Sequence, residues 1–141
     1  MSVKIIDGDL FSTGAKYICH QVNCKGKMGS GVAKQVKSLY PKAYEIYAKA
    51  CKEYNGDLLG KIQICRIGDK SIVNMFAQDR YGYDGAQYTN YTAFEYCLNK
   101  LKTHIPAGET IAMPYKIGCG LAGGDWNVVY GLIEKVLGQQ Y

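Results

Sequence analysis

The chain has 141 residues, 48% of them hydrophobic and 21% charged, with a formal net charge of +5. That length predicts one domain over residues 1–141, with enough apolar surface to bury a core. No apolar run approaches the roughly 20 residues of a membrane helix, and MSVKIIDGDL lacks a leader's apolar stretch. A cytoplasmic protein without a membrane partner is expected. Its six cysteines show neither a CxxC pair nor Cys/His zinc spacing. They read as reduced thiols, and neither metal nor cofactor is expected. Cys24 and Cys119 lie in glycine-rich stretches, where a thiol can be reactive or simply packed.

In chain order, Val3–Ile6 reads as a short strand ending at Asp7-Gly8-Asp9. Lys16–Val22 is a largely apolar second strand, followed by a loop over Asn23–Ser30. Gly31–Leu39 has helical spacing, and Pro41 either interrupts it or opens a new helix. Ala43–Tyr54 is a helix closed at Asn55-Gly56-Asp57. Lys61–Ile67 and Ser71–Ala77 are strands about a turn at Gly68-Asp69-Lys70. A polar, tyrosine-bearing loop covers Gln78–Tyr88, and Thr89 stands where it can cap a helix reaching His104. Thr110–Tyr115 is a further strand and Trp126–Leu137 the last helix. Strands alternating with helices predict an α/β sandwich, and the hairpin at Gly68 makes its sheet mixed.

Two loops share one layout, a strand leading through glycines into a helix. The first holds Gly29 and Gly31, the second Gly118, Gly120, Gly123 and Gly124. Glycine carries no Cβ to separate backbone from ligand, and a helix N-terminus offers unpaired amides and a positive dipole end. Facing each other, two such loops would clamp a diphosphate. No Walker GK[ST] follows, and GCGLAG over 118–123 only approximates a dinucleotide fingerprint with no second βαβ unit behind it. Lysines 34, 37, 42, 49 and 52 fit the solvated face of helices or a nucleic-acid patch, though no RNP, KH or zinc-finger pattern accompanies them.

Asp7-Gly8-Asp9-Leu10, ICHQVNCKGKMGSGVAKQ at 18–35, YGYDGAQYTNYTAF at 81–94 and PYKIGCGLAGGDW at 114–126 together resemble the macro domain family. The order and spacing of these segments match over essentially the whole chain. The resemblance implies a three-layer α/β/α sandwich with a mixed central sheet, binding ADP-ribose or a derivative in a crevice. It places Asp9 (with Leu10) at the adenine and Asn23 near the distal ribose. Gly29, Ser30, Gly31 and Val32 match the first phosphate and ribose loop. Gly118, Cys119, Gly120, Leu121 and Ala122 match the diphosphate loop. Trp126 flanks the adenine or anchors the last helix.

The stretch CHQVNC resembles the branch containing the fungal ADP-ribose 1″-phosphate phosphatase, which has a histidine at this position. His20 is therefore a candidate for proton exchange, against the alternative of a buried strand histidine satisfied by backbone. Asp84 and Asp125 are candidate carboxylates, and each has a structural alternative, turn formation for Asp84 and helix capping for Asp125. The terminal ADP-ribose glycohydrolase type is similar but uses a lysine and an aspartate; here Gln78-Asp79-Arg80 and Ala122 stand in those places. Lys116 is near enough to reach a phosphate. The expected function is hydrolysis of the 1″ substituent of an ADP-ribose derivative. The alternatives are removal of ADP-ribose from protein or nucleic acid, a non-catalytic reader, or a nucleic-acid module. The tyrosines from Tyr81 to Tyr96 form either a lid or a packed surface.

Overall fold

The computed structural model describes residues 3–54 and 57–138. The apolar run ending at Val22 becomes β1 (Tyr17–Val22), whose side chains alternate between two cores. Ile18 and Val22 face one, Cys19 the other. Val36 and the apolar stripe of Ala43, Tyr47 and Ala50 give α1 (Gly31–Leu39) and α2 (Pro41–Glu53) their buried faces. Pro41 sits in the first turn of α2, where its missing N–H costs nothing, and its restriction on Tyr40 ends α1. The expected stop at Asn55-Gly56 lies outside the described residues.

β2 (Ile62–Ile67) and β3 (Lys70–Phe76) pair antiparallel, and Gly68 supplies the left-handed turn between them. β3 also runs parallel to β1, with Tyr17 opposite Ser71 and Val22 opposite Phe76. A short β4 (Ile111–Ala112) lies parallel on the other side of β1, giving the order β2-β3-β1-β4. α1 and α2 cover one face of this mixed sheet. α3 (Tyr91–His104) and α4 (Trp126–Leu137) cover the other, with Phe94, Leu98, Leu101, Val129 and Ile133 packed on Cys19, Val73 and Met75. The arrangement is the expected three-layer sandwich.

Three expectations change. Val3–Ile6 is not a strand: Val3 packs on the core, but Ile5 and Ile6 are 57% and 72% exposed, and the run pairs with nothing among the described residues. The expected strand over 110–115 shortens to Ile111–Ala112, because Pro114 has no N–H to continue a ladder. The chain instead turns, with Ile117 N–H donating to the Pro114 carbonyl and Cys119 N–H to that of Lys116. The cap of α3 is Asn90, not Thr89: Asn90 Oδ1 accepts from Ala93 N–H, while Thr89 is buried and bonded elsewhere.

Candidate functional site

The loops that leave β1 and β4 at their carboxyl ends bound a cavity of about 330 Å³. One wall is Gly29–Ala33, the other Lys116–Gly118 with Gly120–Ala122. The first-turn amides of Gly31, Val32 and Ala33 cannot be satisfied within α1. Across the cavity, the amides of Gly118, Gly120, Leu121 and Ala122 have no intramolecular partner among the described residues. Lys27 and Lys116 add positive charge, and no aspartate or glutamate is among the lining residues. Unpaired amides, ammonium groups and no carboxylate suit an anion.

Each loop is held by a different device. In the first, Asn23 Oδ1 accepts from the Tyr47 hydroxyl (2.6 Å) and Lys25 N–H (2.9 Å), while its Nδ2 donates to the Lys27 carbonyl (2.8 Å). Asn23 lines the cavity, yet its side chain is already committed to shaping the loop. Ser30 precedes α1 without a side-chain capping bond, and its Oγ lies 3.0 Å from the Tyr83 hydroxyl.

The second loop rests on the segment before α3. Thr89 donates its hydroxyl to the Gly118 carbonyl (2.6 Å), which Gly124 N–H also reaches (2.9 Å). Gln21 Nε2 in turn donates to Thr89 Oγ1 (2.9 Å) and Gln78 Oε1 (2.8 Å). The Tyr88 and Thr89 amides donate to the Ala122 carbonyl. Gly123 has φ 72°, and a Cβ there would stand 2.5 Å from the Ala86 carbonyl oxygen. Sequence reasoning missed Gln21, Gln78 and Thr89, because isolated polar residues at a strand end and in a loop carry no signature.

His20 lies within β1 opposite Asn74, 1% exposed, with Nε2 2.6 Å from Asn74 Oδ1. Asn74 spends its Nδ2 on the Ala43 carbonyl and Gln63 Oε1, so its Oδ1 accepts and His20 is the Nε2–H tautomer. Partnership is with a side chain, not with backbone. Nδ1 is buried with no partner among the described residues. Burial lowers the imidazole pKa to about 4, against an opposing contribution from Asn74, so His20 is neutral at neutral pH.

The two carboxylates stand apart from the cavity lining. Asp84 Oδ1 accepts from the Tyr88 hydroxyl (2.8 Å) and Ala86 N–H (3.1 Å), and these bonds hold its pKa below the usual range. Asp125 caps α4 by accepting from Asn127 N–H, and its own N–H donates to the Tyr91 hydroxyl. Asp9 caps the 3-10 turn Leu10–Ser12, accepting from Phe11 N–H and the Ser12 hydroxyl. Its neighbours Gly8 and Leu10 line a second, more apolar groove with Trp126, and the two cavities adjoin at Pro114 and Tyr115. The Tyr115 and Trp126 rings meet edge to face at 5.2 Å.

Tyr81 and Tyr83 line the cavity mouth as an exposed edge-to-face pair, whereas Tyr88 and Tyr91 tie loops together. Burial raises the thiol pKa of Cys24, to about 11, and that of Cys119, so both are protonated at neutral pH. Cys119 Sγ contacts the Ile117 carbonyl and is absent from the cavity lining. No His/Cys/Asp/Glu group able to hold a metal occurs among the described residues. Nor is any described helix long and apolar enough to cross a membrane.

The profile of the Macro domain family matches residues 19–133. An ADP-ribose 1″-phosphate phosphatase of Saccharomyces cerevisiae is 28% identical over 88% of this chain and 85% of its own. A DNA ADP-ribosyl glycohydrolase of Mycobacterium tuberculosis is 29% identical over 86% of this chain, though over only 35% of its own length. Among solved structures, the macrodomain of Mycobacterium tuberculosis DarG superimposes with a TM-score of 0.77 at 26% identity, covering 93% of this chain and 86% of that one. With the sandwich and the paired glycine loops, the match over residues 19–133 makes this chain a member of the Macro domain family.

Proposed function

We propose that residues 1–141 act as a single cytoplasmic macro domain that binds ADP-ribose derivatives and hydrolyses the 1″-phosphate of ADP-ribose 1″-phosphate. The observation that carries this reading is the cavity between the two glycine loops, lined by unpaired amides and two lysines and free of carboxylates. The diphosphate lies between the loops, and the adenosine extends past Pro114 and Tyr115 toward Leu10 and Trp126. The six free cysteines suit a reducing compartment.

In the reaction, a water oxygen bonds to phosphorus and the P–O1″ bond breaks. One water proton ends on the 1″ hydroxyl, leaving ADP-ribose and orthophosphate. Loop amides and the ammonium group of Lys27 offset charge on the transferring phosphoryl group. His20 lines the cavity bonded through Nε2 to Asn74 and, neutral at neutral pH, is not an imidazolium acid in this step. Asp84 and Asp125 hold loop and helix in place. The likeness to a DNA ADP-ribosyl glycohydrolase supports a second reading, release of ADP-ribose from modified DNA.

One experiment separates the two. Phosphate release from ADP-ribose 1″-phosphate and ADP-ribose release from an ADP-ribosylated oligonucleotide are followed side by side, with ADP-ribose affinity measured by calorimetry. Phosphate release alone supports the first reading and oligonucleotide cleavage alone the second. Tight binding without turnover would make the chain a reader, and no ADP-ribose binding would overturn all three.

A further inference from the structure

Among the described residues, Lys116 is the one non-glycine residue with a left-handed backbone, at φ 60°. A side chain with a Cβ is strained there, and glycine or asparagine sits more easily. Such strain persists where the surrounding structure imposes it, and it clusters at ligand sites. Here the frame is evident: Ile117 N–H to the Pro114 carbonyl, Cys119 N–H to the Lys116 carbonyl, and the Gly118 carbonyl clamped by Thr89 and Gly124. That frame explains the backbone but does not require a lysine.

The side chain lines the cavity beside the unpaired amides, with its ammonium 5.7 Å from the Tyr115 ring centroid. Lys16, Lys25, Lys49, Lys61 and Lys135 have carboxylate partners within 4 Å; Lys116 has none among the described residues. An ammonium without a counter-ion among the described residues, at the edge of an amide cradle, is complementary to an anion. We propose that Lys116 is a phosphate-binding residue of this cavity, its ammonium passing from the Tyr115 face to the diphosphate of the ligand. The proposal rests on reading the cavity as a diphosphate site.

The test uses Lys116→Gly and Lys116→Asn, both compatible with the left-handed backbone, and Lys49→Gln on α2 as a charge-matched control. ADP-ribose and inorganic pyrophosphate are titrated calorimetrically at two salt concentrations, and melting temperatures are recorded. Both Lys116 variants should bind both ligands about tenfold more weakly, a loss of roughly 1.4 kcal/mol, with a shallower salt dependence and no lower melting temperature. Lys49→Gln should match wild type.

Wild-type affinity in the Lys116 variants overturns the proposal while leaving the proposed function intact. A variant that melts well below wild type also overturns it, because the side chain would then be structural. If wild type binds pyrophosphate but not ADP-ribose, and the variants lose pyrophosphate, Lys116 stands and the proposed function falls. Binding of neither ligand overturns both.

Discussion

The two glycine-rich loops look alike in sequence but are built differently. The first is closed by Asn23, which binds the amide of Lys25 and the carbonyl of Lys27 and is steadied by the Tyr47 hydroxyl from α2. The second is shaped from outside, by Thr89, Gln21 and the backbone of Ala86 and Tyr88. The first loop also leans on the segment after β3, with Cys24 N–H donating to the Asp79 carbonyl, but a Cβ at its Gly29 would meet nothing within 4 Å. A loop seated on another segment depends on close approach, so Gly118, Gly123 and Gly124 are sites of steric demand.

The largest expected effect comes from beneath the first loop, at His20. The folded state holds its imidazole neutral down to about pH 4, whereas the unfolded chain takes up a proton below its ordinary 6.5. The unfolded state therefore binds more protons in that window. Stability is complete above about pH 7 and falls by about 3 kcal/mol toward pH 4. Urea unfolding at stepped pH reads this slope, and His20→Gln should flatten it. The substrate's own phosphate titrates at about pH 6, so the turnover profile is read against His20→Gln. The two should break alike, and a break near pH 6.5 that His20→Gln removes would mean that His20 carries a proton in catalysis.

Next in size is Gly123→Ala, which sets a Cβ 2.5 Å from the Ala86 oxygen at φ 72° and should cost about 2–3 kcal/mol. Gly29→Ala meets nothing within 4 Å and should stay within about 0.5 kcal/mol of wild type. Equal costs in the two variants would erase the distinction between the loops. Thr89→Val and Tyr47→Phe each remove one anchoring hydroxyl and should cost about 1–2 kcal/mol. ADP-ribose affinity sharpens that pair. Thr89→Val leaves the Gly118 carbonyl with the Gly124 amide alone and should weaken binding, and Thr89→Ser should restore it.

The same contrast explains what the sequence could reveal. Local patterns carried most of the fold: the stripe of Ala43, Tyr47 and Ala50, Pro41 opening α2, and the cap at Asp125 all lie within a few residues of what they determine. Both glycine loops were visible for the same reason. The seat of the second loop was not, since Gln21 and Thr89 are 68 positions apart and meet only once β1 and α3 are packed. Val3–Ile6 reads as a strand by composition, but a strand also needs an edge to pair with, and composition does not report one. His20 is placed by its position in β1, whereas its neutrality follows from burial and from Asn74, 54 residues away.

The smallest effect is expected at Asp84, and it bears on the tyrosine loop that reaches Ser30. The carboxylate accepts from the Tyr88 hydroxyl and the Ala86 amide, and the side chain lies outside the cavity lining. Asparagine keeps an Oδ1 acceptor for both donors while removing the charge. If Asp84 only pins the loop, Asp84→Asn should turn over substrate like wild type, and Asp84→Ala should show a modest loss that appears in KM more than in kcat. A hundredfold drop in kcat for Asp84→Asn, with ADP-ribose affinity unchanged, would instead place the carboxylate at the reacting phosphate. That outcome would require the loop to close over the cavity, carrying Tyr81 and Tyr83 with it and tightening the hold that Asp79 and Tyr83 already have on the first loop.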